Sequence, residues 1–290
     1  MSAHDLTAQP WTEPGRGSGL LDVVRRRYLL KLLVRKELRV RYRGSVLGLA
    51  WSYVKPGVQY VVYFLALGIF LQQSRNIEDF PVYLFSGLVV VNVFTEAFGN
   101  ATRAVVWNAP LVKKIFLPRE LFPVASVWVA GVHFVPQLVV LLVGALLSGW
   151  RLEVLPVLGA VLATLIIAAL ATGLGLLFGS LNVLFRDMEN FVDLINMVVV
   201  WLSPVLYRWD QVTRVVPEWV AVLYQLNPIT VAVELYHYAF WWPGTRDTPA
   251  DSLPPDLLVN SLVAVVIAAV VLVVGQLVFR RVEGRFAIDL

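Results

Sequence analysis

The 290 residues are 58% hydrophobic and 15% charged, with a mean hydropathy of +0.72, which excludes an ordinary soluble domain and makes a lipid bilayer the expected solvent. The absence of cysteine removes disulfides and thiolate metal sites, and His4, His133 and His237 are too dispersed to suggest a histidine-rich metal centre. The net charge of +4 becomes informative through the position of its carriers relative to the apolar runs.

Residues 1–19 are rich in Pro, Gly, Ser and Thr without an apolar run and read as a disordered cytoplasmic tail. From Leu20 to Arg43, Leu21, Val24, Tyr28 and Leu32 fall on one helical stripe, with Arg26, Arg27 and Lys31 off it. That pattern predicts a basic amphipathic interface helix within 20–48, lying along the cytoplasmic leaflet. Leu29, Leu30 and Leu33 widen its apolar face, and the basic residues drift around the helix beyond Val34, so a break is expected near Arg35 to Glu37.

A spanning helix needs about 20 mostly apolar residues, because every backbone amide must be satisfied within the segment. Apolar runs predict spans at Leu49 to Gln72, Pro81 to Ala101, Phe122 to Leu147, Val154 to Leu181, Phe191 to Tyr207 and Leu257 to Phe279. Between Arg208 and Asp256, two shorter apolar pieces, Pro217 to Leu226 and Ile229 to Trp242, flank Leu226-Asn227-Pro228. Each is too short to span, which predicts a re-entrant or interfacial helical hairpin. The fold class is therefore an all-α membrane protein of six spans, with an N-terminal interface helix and a short re-entrant external hairpin between spans five and six.

The segments before the first span and after the second, fourth and sixth hold eighteen Lys and Arg. Ten of them precede the first span, and the tail 280–290 contributes Arg280, Arg281 and Arg285. The alternate segments hold five: Arg75, Arg151, Arg208, Arg214 and Arg246. By the positive-inside rule the basic side, with both termini, faces the cytoplasm.

No glycine-rich phosphate loop ending in Lys and Ser or Thr occurs, so ATP-driven work has to come from a partner. No Gly-x-Ser-x-Gly turn supports a nucleophile. The acidic run Phe185-Arg186-Asp187-Met188-Glu189, followed by Asp193, has the composition of a metal and sugar-nucleotide site. Its favoured reading is that Asp187 and Glu189 cap the next helix and pair with Arg186. Within the spans the ionisable residues are Lys55, Glu96, His133 and Asp193. Glu96 is a functional candidate because intramembrane charge marks a pathway or a pair, whereas Lys55 can snorkel to the headgroups and receives no transport role. Tyr53, Tyr60, Tyr63 and Phe64 form an aromatic stripe suited to stacking on sugar rings, against the alternative of an interfacial belt. Gly175 and Gly179, with Gly173 nearby, signal close helix packing.

The run Leu33-Val34-Arg35-Lys36-Glu37-Leu38-Arg39-Val40-Arg41-Tyr42-Arg43-Gly44-Ser45-Val46-Leu47-Gly48-Leu49-Ala50-Trp51, with Lys55-Pro56 beyond it, resembles the start of the first span in type-2 ABC exporter permeases. These move lipid-linked polysaccharides such as O-antigens, teichoic acids and mycobacterial galactan. Weaker matches are Asn108-Ala109-Pro110-Leu111-Val112-Lys113-Lys114, Phe116-Leu117-Pro118-Arg119, Phe185-Arg186-Asp187, Ser203-Pro204-Val205-Leu206-Tyr207, Leu226-Asn227-Pro228 and Glu283-Gly284-Arg285-Phe286-Ala287. The resemblance implies a homodimer docked on two ATP-binding cassette subunits, which bind ATP and Mg, while this chain holds no cofactor and is not itself an enzyme. It implies ATPase coupling within 103–121, through Asn108, Pro110, Lys113 and Lys114, and external gate helices within 208–256. The implied substrate is a polyprenyl-pyrophosphate-linked glycan, its pyrophosphate met by Arg41, Arg43 or Arg119 and its sugars by the channel aromatics. The Val, Ala and Arg richness of the chain tilts the glycan towards galactan. An ion-coupled secondary transporter using Glu96 and His133, and a membrane glycosyltransferase using Asp187 and Glu189, are the alternative readings. The expected location is the bacterial plasma membrane, among lipids and without nucleic acid.

Overall fold

A computed structural model of the chain describes residues 19–114, 117–245 and 252–286, and all regular elements among them are helical. The predicted tail, apart from Gly19, lies outside the described residues, as do Phe116, Arg246 and residues 287–290.

The N-terminal segment forms α1 (Leu20–Arg25) and α2 (Arg27–Arg41). The break falls at Arg26, and α2 runs unbroken through Arg35 to Glu37, contrary to the position expected from the drift of basic residues. The helix has two apolar faces rather than one widened face. Val23 and Leu33 are buried against the protein, whereas Leu21, Val24, Tyr28 and Leu32 are exposed. Around the expected break, Lys36 and Glu37 both hold Asn108, which fixes the helix where a bend was expected.

α3 (Trp51–Tyr63) is extended by a tight turn at Gly48–Ala50 and a π-helical stretch at Phe64–Phe70. There follow α4 (Phe80–Trp107), α5 (Ala109–Lys114), α6 (Leu121–Leu147) and α7 (Val154–Leu184). α4 is the centre of the bundle: 72% of its most apolar stretch is buried, against 6% for α3, which leans on the bundle and leaves most of its surface uncovered. Phe80, Phe94 and Phe98 fill that centre.

α8 (Met188–Val199) has twelve residues, about 18 Å at 1.5 Å per residue, too short to cross. Beyond it, residues 200–207 form turns and bends rather than a continued helix, and Ser203, Val205 and Leu206 are nonetheless buried. The Tyr83 hydroxyl satisfies this irregular backbone by donating to the carbonyls of Pro204 at 3.0 Å and Tyr207 at 2.9 Å. Non-helical backbone is tolerated at membrane depth when protein buries it in this way. With α12 (Leu257–Val282), five described helices are long and apolar enough to span; the continuous fifth helix expected over Phe191 to Tyr207 is not formed.

Between these lie α9 (Trp209–Thr213), α10 (Glu218–Leu226) and α11 (Pro228–Tyr236), the last continuing π-helically to Trp241. Asn227 ends one helix and starts the next: its Oδ1 accepts from the Ile229 amide at 3.1 Å, and Pro228 opens α11. α10 has no buried residue, whereas α11 is buried throughout.

The glycines of α7 serve two neighbours. A Cβ at Gly175 would lie 2.4 Å from Ala101 Cβ, and one at Gly179 would lie 3.2 Å from the Ala101 carbonyl, so this pair seats α7 on α4. Gly173 faces Gly275 of α12 across a backbone-to-backbone contact.

Candidate functional site: a polar cavity beside α4

A cavity of about 860 Å³ opens where the end of α2 meets α3, α4, α6 and α8. Its walls include Arg41, Lys55, Asn92, Glu96, Arg103 and His133. The sequence singles out Glu96 and His133 separately; the fold joins them. Glu96 Oε1 accepts from Arg41 Nη1 at 2.6 Å and lies 2.6 Å from His133 Nδ1. His133 Nε2 is 2.8 Å from the Tyr42 hydroxyl, which is 2.8 Å from Ser52 Oγ, and Ser52 donates to the Leu49 carbonyl at 2.8 Å. This run of contacts ties the end of α2 to α3, α4 and α6 through hydrogen bonds, those to the Glu96 carboxylate charge-assisted.

Arg103 organises the opposite wall. Its Nη2 donates to both oxygens of Asp193, at 2.5 and 2.6 Å, and its Nε lies 3.5 Å from Glu189. The acidic run is therefore turned towards α4. Asp187 occupies the N-cap position of α8 without a side-chain capping bond, and Glu189 accepts from Asn182 at 3.0 Å. The expected cap and Arg186 pair give way to Arg103, which brings an ion pair that a cap does not.

At the end of α4, buried Asn108 takes a hydrogen bond from Lys36 Nζ and donates to the Ala104 carbonyl at 2.8 Å and to Glu37 at 3.4 Å. Burial pushes the Glu37 carboxyl above its usual range, opposed by the Asn108 hydrogen bond and by Lys36 and Arg41. A carboxyl raised on folding binds its proton more tightly in the native state, so its contribution falls as pH rises from about 4.5 through the raised value. Glu37→Gln is expected to flatten the loss of thermal stability across that rise, read as the wild-type-minus-variant difference in melting temperature at each pH. Beyond Asn108, α5 buries Val112 and exposes Pro110, Lys113 and Lys114.

Of the candidate phosphate contacts, Arg41 lines the cavity and Arg43 is exposed. Arg119 lies over the Phe286 ring at 5.6 Å; burial pulls its guanidinium below the usual range, with Glu283 and Glu120 opposing. Lys55, read from the sequence as able to snorkel to the headgroups, is exposed and lines the cavity. Among the aromatics, Tyr53 and Tyr60 border a separate groove. Tyr63 meets Trp201 edge-on at 6.4 Å, and Phe64 stacks on Phe80 at 6.4 Å. Sequence reasoning passed over Arg103 and Tyr42 as cavity residues; the basic-Tyr motif before the first span was the available signal for Tyr42.

A bundle of long apolar helices around a charged, hydrogen-bonded cavity defines a multi-pass membrane protein of the transporter class. The chain belongs to the ABC-2 type transporter family, whose model matches residues 28–241. It is similar to the O-antigen export system permease protein RfbA of Klebsiella pneumoniae, 27% identical over 259 residues, 89% of this chain and 93% of the relative. RfbA of Myxococcus xanthus is 29% identical over 221 residues, 74% and 81% of the two chains. The polysialic acid transport protein KpsM of Escherichia coli is 21% identical over 210 residues, 71% and 78%.

Proposed function

We propose that this chain is the membrane subunit of an ATP-driven exporter that carries a polyprenyl-pyrophosphate-linked polysaccharide, such as an O-antigen or galactan, out of the cytoplasm. The observation that carries the reading is family membership together with near full-length similarity to permeases named for O-antigen export. The functional unit is a homodimer on two ATP-binding subunits, which bind ATP and Mg. In this reading α8 and the irregular stretch 200–207 make the sixth crossing, both termini lie in the cytoplasm, which the eighteen-to-five bias of Lys and Arg supports, and 208–256 lies outside as the gate.

Exposed Lys113 and Lys114 on α5, next to an Asn108 locked to the interface helix, suit contact with the ATPase. Co-expression with its ATP-binding subunit is expected to yield a stable complex whose ATP turnover rises with lipid-linked glycan. Lys113→Glu/Lys114→Glu is expected to lower co-purification of the ATPase about tenfold while leaving membrane insertion intact, a loss of about 1.4 kcal/mol. Transport by the purified single chain without ATP would refute the reading.

A further inference from the structure

The polar cavity has an apolar neighbour. A groove of about 460 Å³ runs between α3, the start of α4 and α6, with Tyr53, Gly57, Tyr60, Phe85, Val140 and Gly144 among its walls. Pro56 and Gln137 border both spaces, so the two adjoin beside α3. Both volumes fall within the range of about 300–1,000 Å³ typical of ligand sites.

The cations on the polar side are not equivalent. Arg41 is held by Glu96 at 2.6 Å and Arg103 by Asp193 at 2.5 Å. Lys55 lines the same cavity and has no ion-pair partner among the described residues. An incoming anion meets Lys55 without displacing an internal carboxylate, whereas Arg41 or Arg103 has first to surrender a charge-assisted pair. On the apolar side, the groove owes its depth to two missing side chains. A Cβ added at Gly57 or at Gly144 would meet nothing within 4 Å.

We infer that a single lipid-linked anion occupies both spaces, its phosphate at Lys55 and its first isoprenoid units in the groove walled by Gly57 and Gly144. The inference rests on the function proposed above and adds which face of α3 recognises which end of the substrate. The occupant is argued from adjacency and charge: the groove shares Pro56 and Gln137 with the cavity that holds the Lys55 ammonium, which sets an apolar and a cationic surface side by side for the two ends of one amphiphile. This moves the phosphate contact to a lysine, a compact point charge that serves a phosphate without bidentate geometry.

The test uses the complex with its ATPase in detergent, titrated with inorganic pyrophosphate and with farnesyl pyrophosphate and followed by tryptophan fluorescence, Trp51 being a cavity residue. The wild type is expected to bind farnesyl pyrophosphate about tenfold more tightly than pyrophosphate, because the groove adds apolar contacts for a tail held beside the bound phosphate. Gly57→Leu and Gly144→Leu fill open space and so are expected to fold; each is expected to erase the farnesyl advantage while leaving pyrophosphate affinity unchanged. Lys55→Gln is expected to weaken both ligands about tenfold, with recovery in Lys55→Arg. Retention of the farnesyl advantage in both glycine variants, or of wild-type pyrophosphate affinity in Lys55→Gln, overturns the inference while leaving the exporter reading intact. Equal competition by phosphatidylglycerol overturns it too, because the groove is then an ordinary lipid annulus. A wild-type complex that binds neither probe and whose ATP turnover ignores lipid-linked glycan overturns the exporter reading and the inference together.

Discussion

Gly275→Leu is expected to collapse the yield of folded protein, and Gly275→Ala to lower its melting temperature sharply. The reason is the identity of the neighbour. A Cβ at Gly275 would sit 2.1 Å from the Gly173 carbonyl oxygen and 2.9 Å from its carbon, and a Cβ at Gly173 would sit 2.6 Å from the Leu272 amide nitrogen. All of these atoms are backbone, so no rotamer change relieves the clash, and α7 and α12 have to separate along their length. Overpacking commonly costs about 1–3 kcal/mol, and a rigid backbone obstacle places this case at the top of that range. Within lipid there is no compensating hydrophobic drive to bring the helices back, because helix association there depends on close packing. α12 is especially dependent on the contact, since only 17% of its most apolar stretch is buried. Gly57→Ala, where the added Cβ meets nothing within 4 Å, is the control and is expected to melt with the wild type in detergent. Equal melting of Gly275→Ala and wild type would show that the α7 and α12 backbones are not in contact.

This crossing also shows where the sequence was readable and where it was not. The Gly175 and Gly179 spacing announced close packing on α7, but a spacing on one helix does not name its partner; the fold gives that pair to α4 and gives Gly173 to α12. The complementary surface on α12 is a row of small buried residues, Ser261, Ala264, Ala268 and Gly275, at helical intervals that the uniform hydropathy of the segment conceals. Long apolar helices were legible because backbone satisfaction in lipid leaves little choice. The stretch from Phe191 to Tyr207 misled because apolar content does not say whether neighbouring protein satisfies the backbone, and here the Tyr83 hydroxyl caps two carbonyls of an irregular segment from another helix. The candidate site divides along the same line. Glu96 and His133 stood out as ionisable residues in apolar runs, yet nothing in the sequence joined them to Arg41, a phosphate candidate, or to Tyr42, part of the basic-Tyr motif, which complete their network. Partners 37 and 55 residues apart are set by the docking of α2 on α6 and by the packing of α6 on α4.

The network predicts that Glu96→Leu is more damaging than its single side chain suggests. The Glu96 carboxylate is the common acceptor for Arg41 and His133, both through Oε1, so its removal leaves two donors facing each other with no acceptor between them. Breaking a fully buried pair by removing one partner costs about 3–5 kcal/mol. The Arg41 and Glu96 side chains are 30% and 26% exposed, but His133 is only 2% exposed, so solvent relieves the arginine far more than the histidine. After that relief the expected loss is about 2–3 kcal/mol, seen as a lower melting temperature and as loosening of α2, read by faster proteolysis between α2 and α3. Glu96→Gln keeps an acceptor for one donor and is expected to fall between. If the cost lies in the stranded histidine, Glu96→Leu/His133→Leu is expected to be more stable than the sum of the two single variants, with a coupling of about 1 kcal/mol or more. A strictly additive double variant would mean that Glu96 and His133 do not share a proton-bearing contact, and that Arg41 alone is what the carboxylate holds.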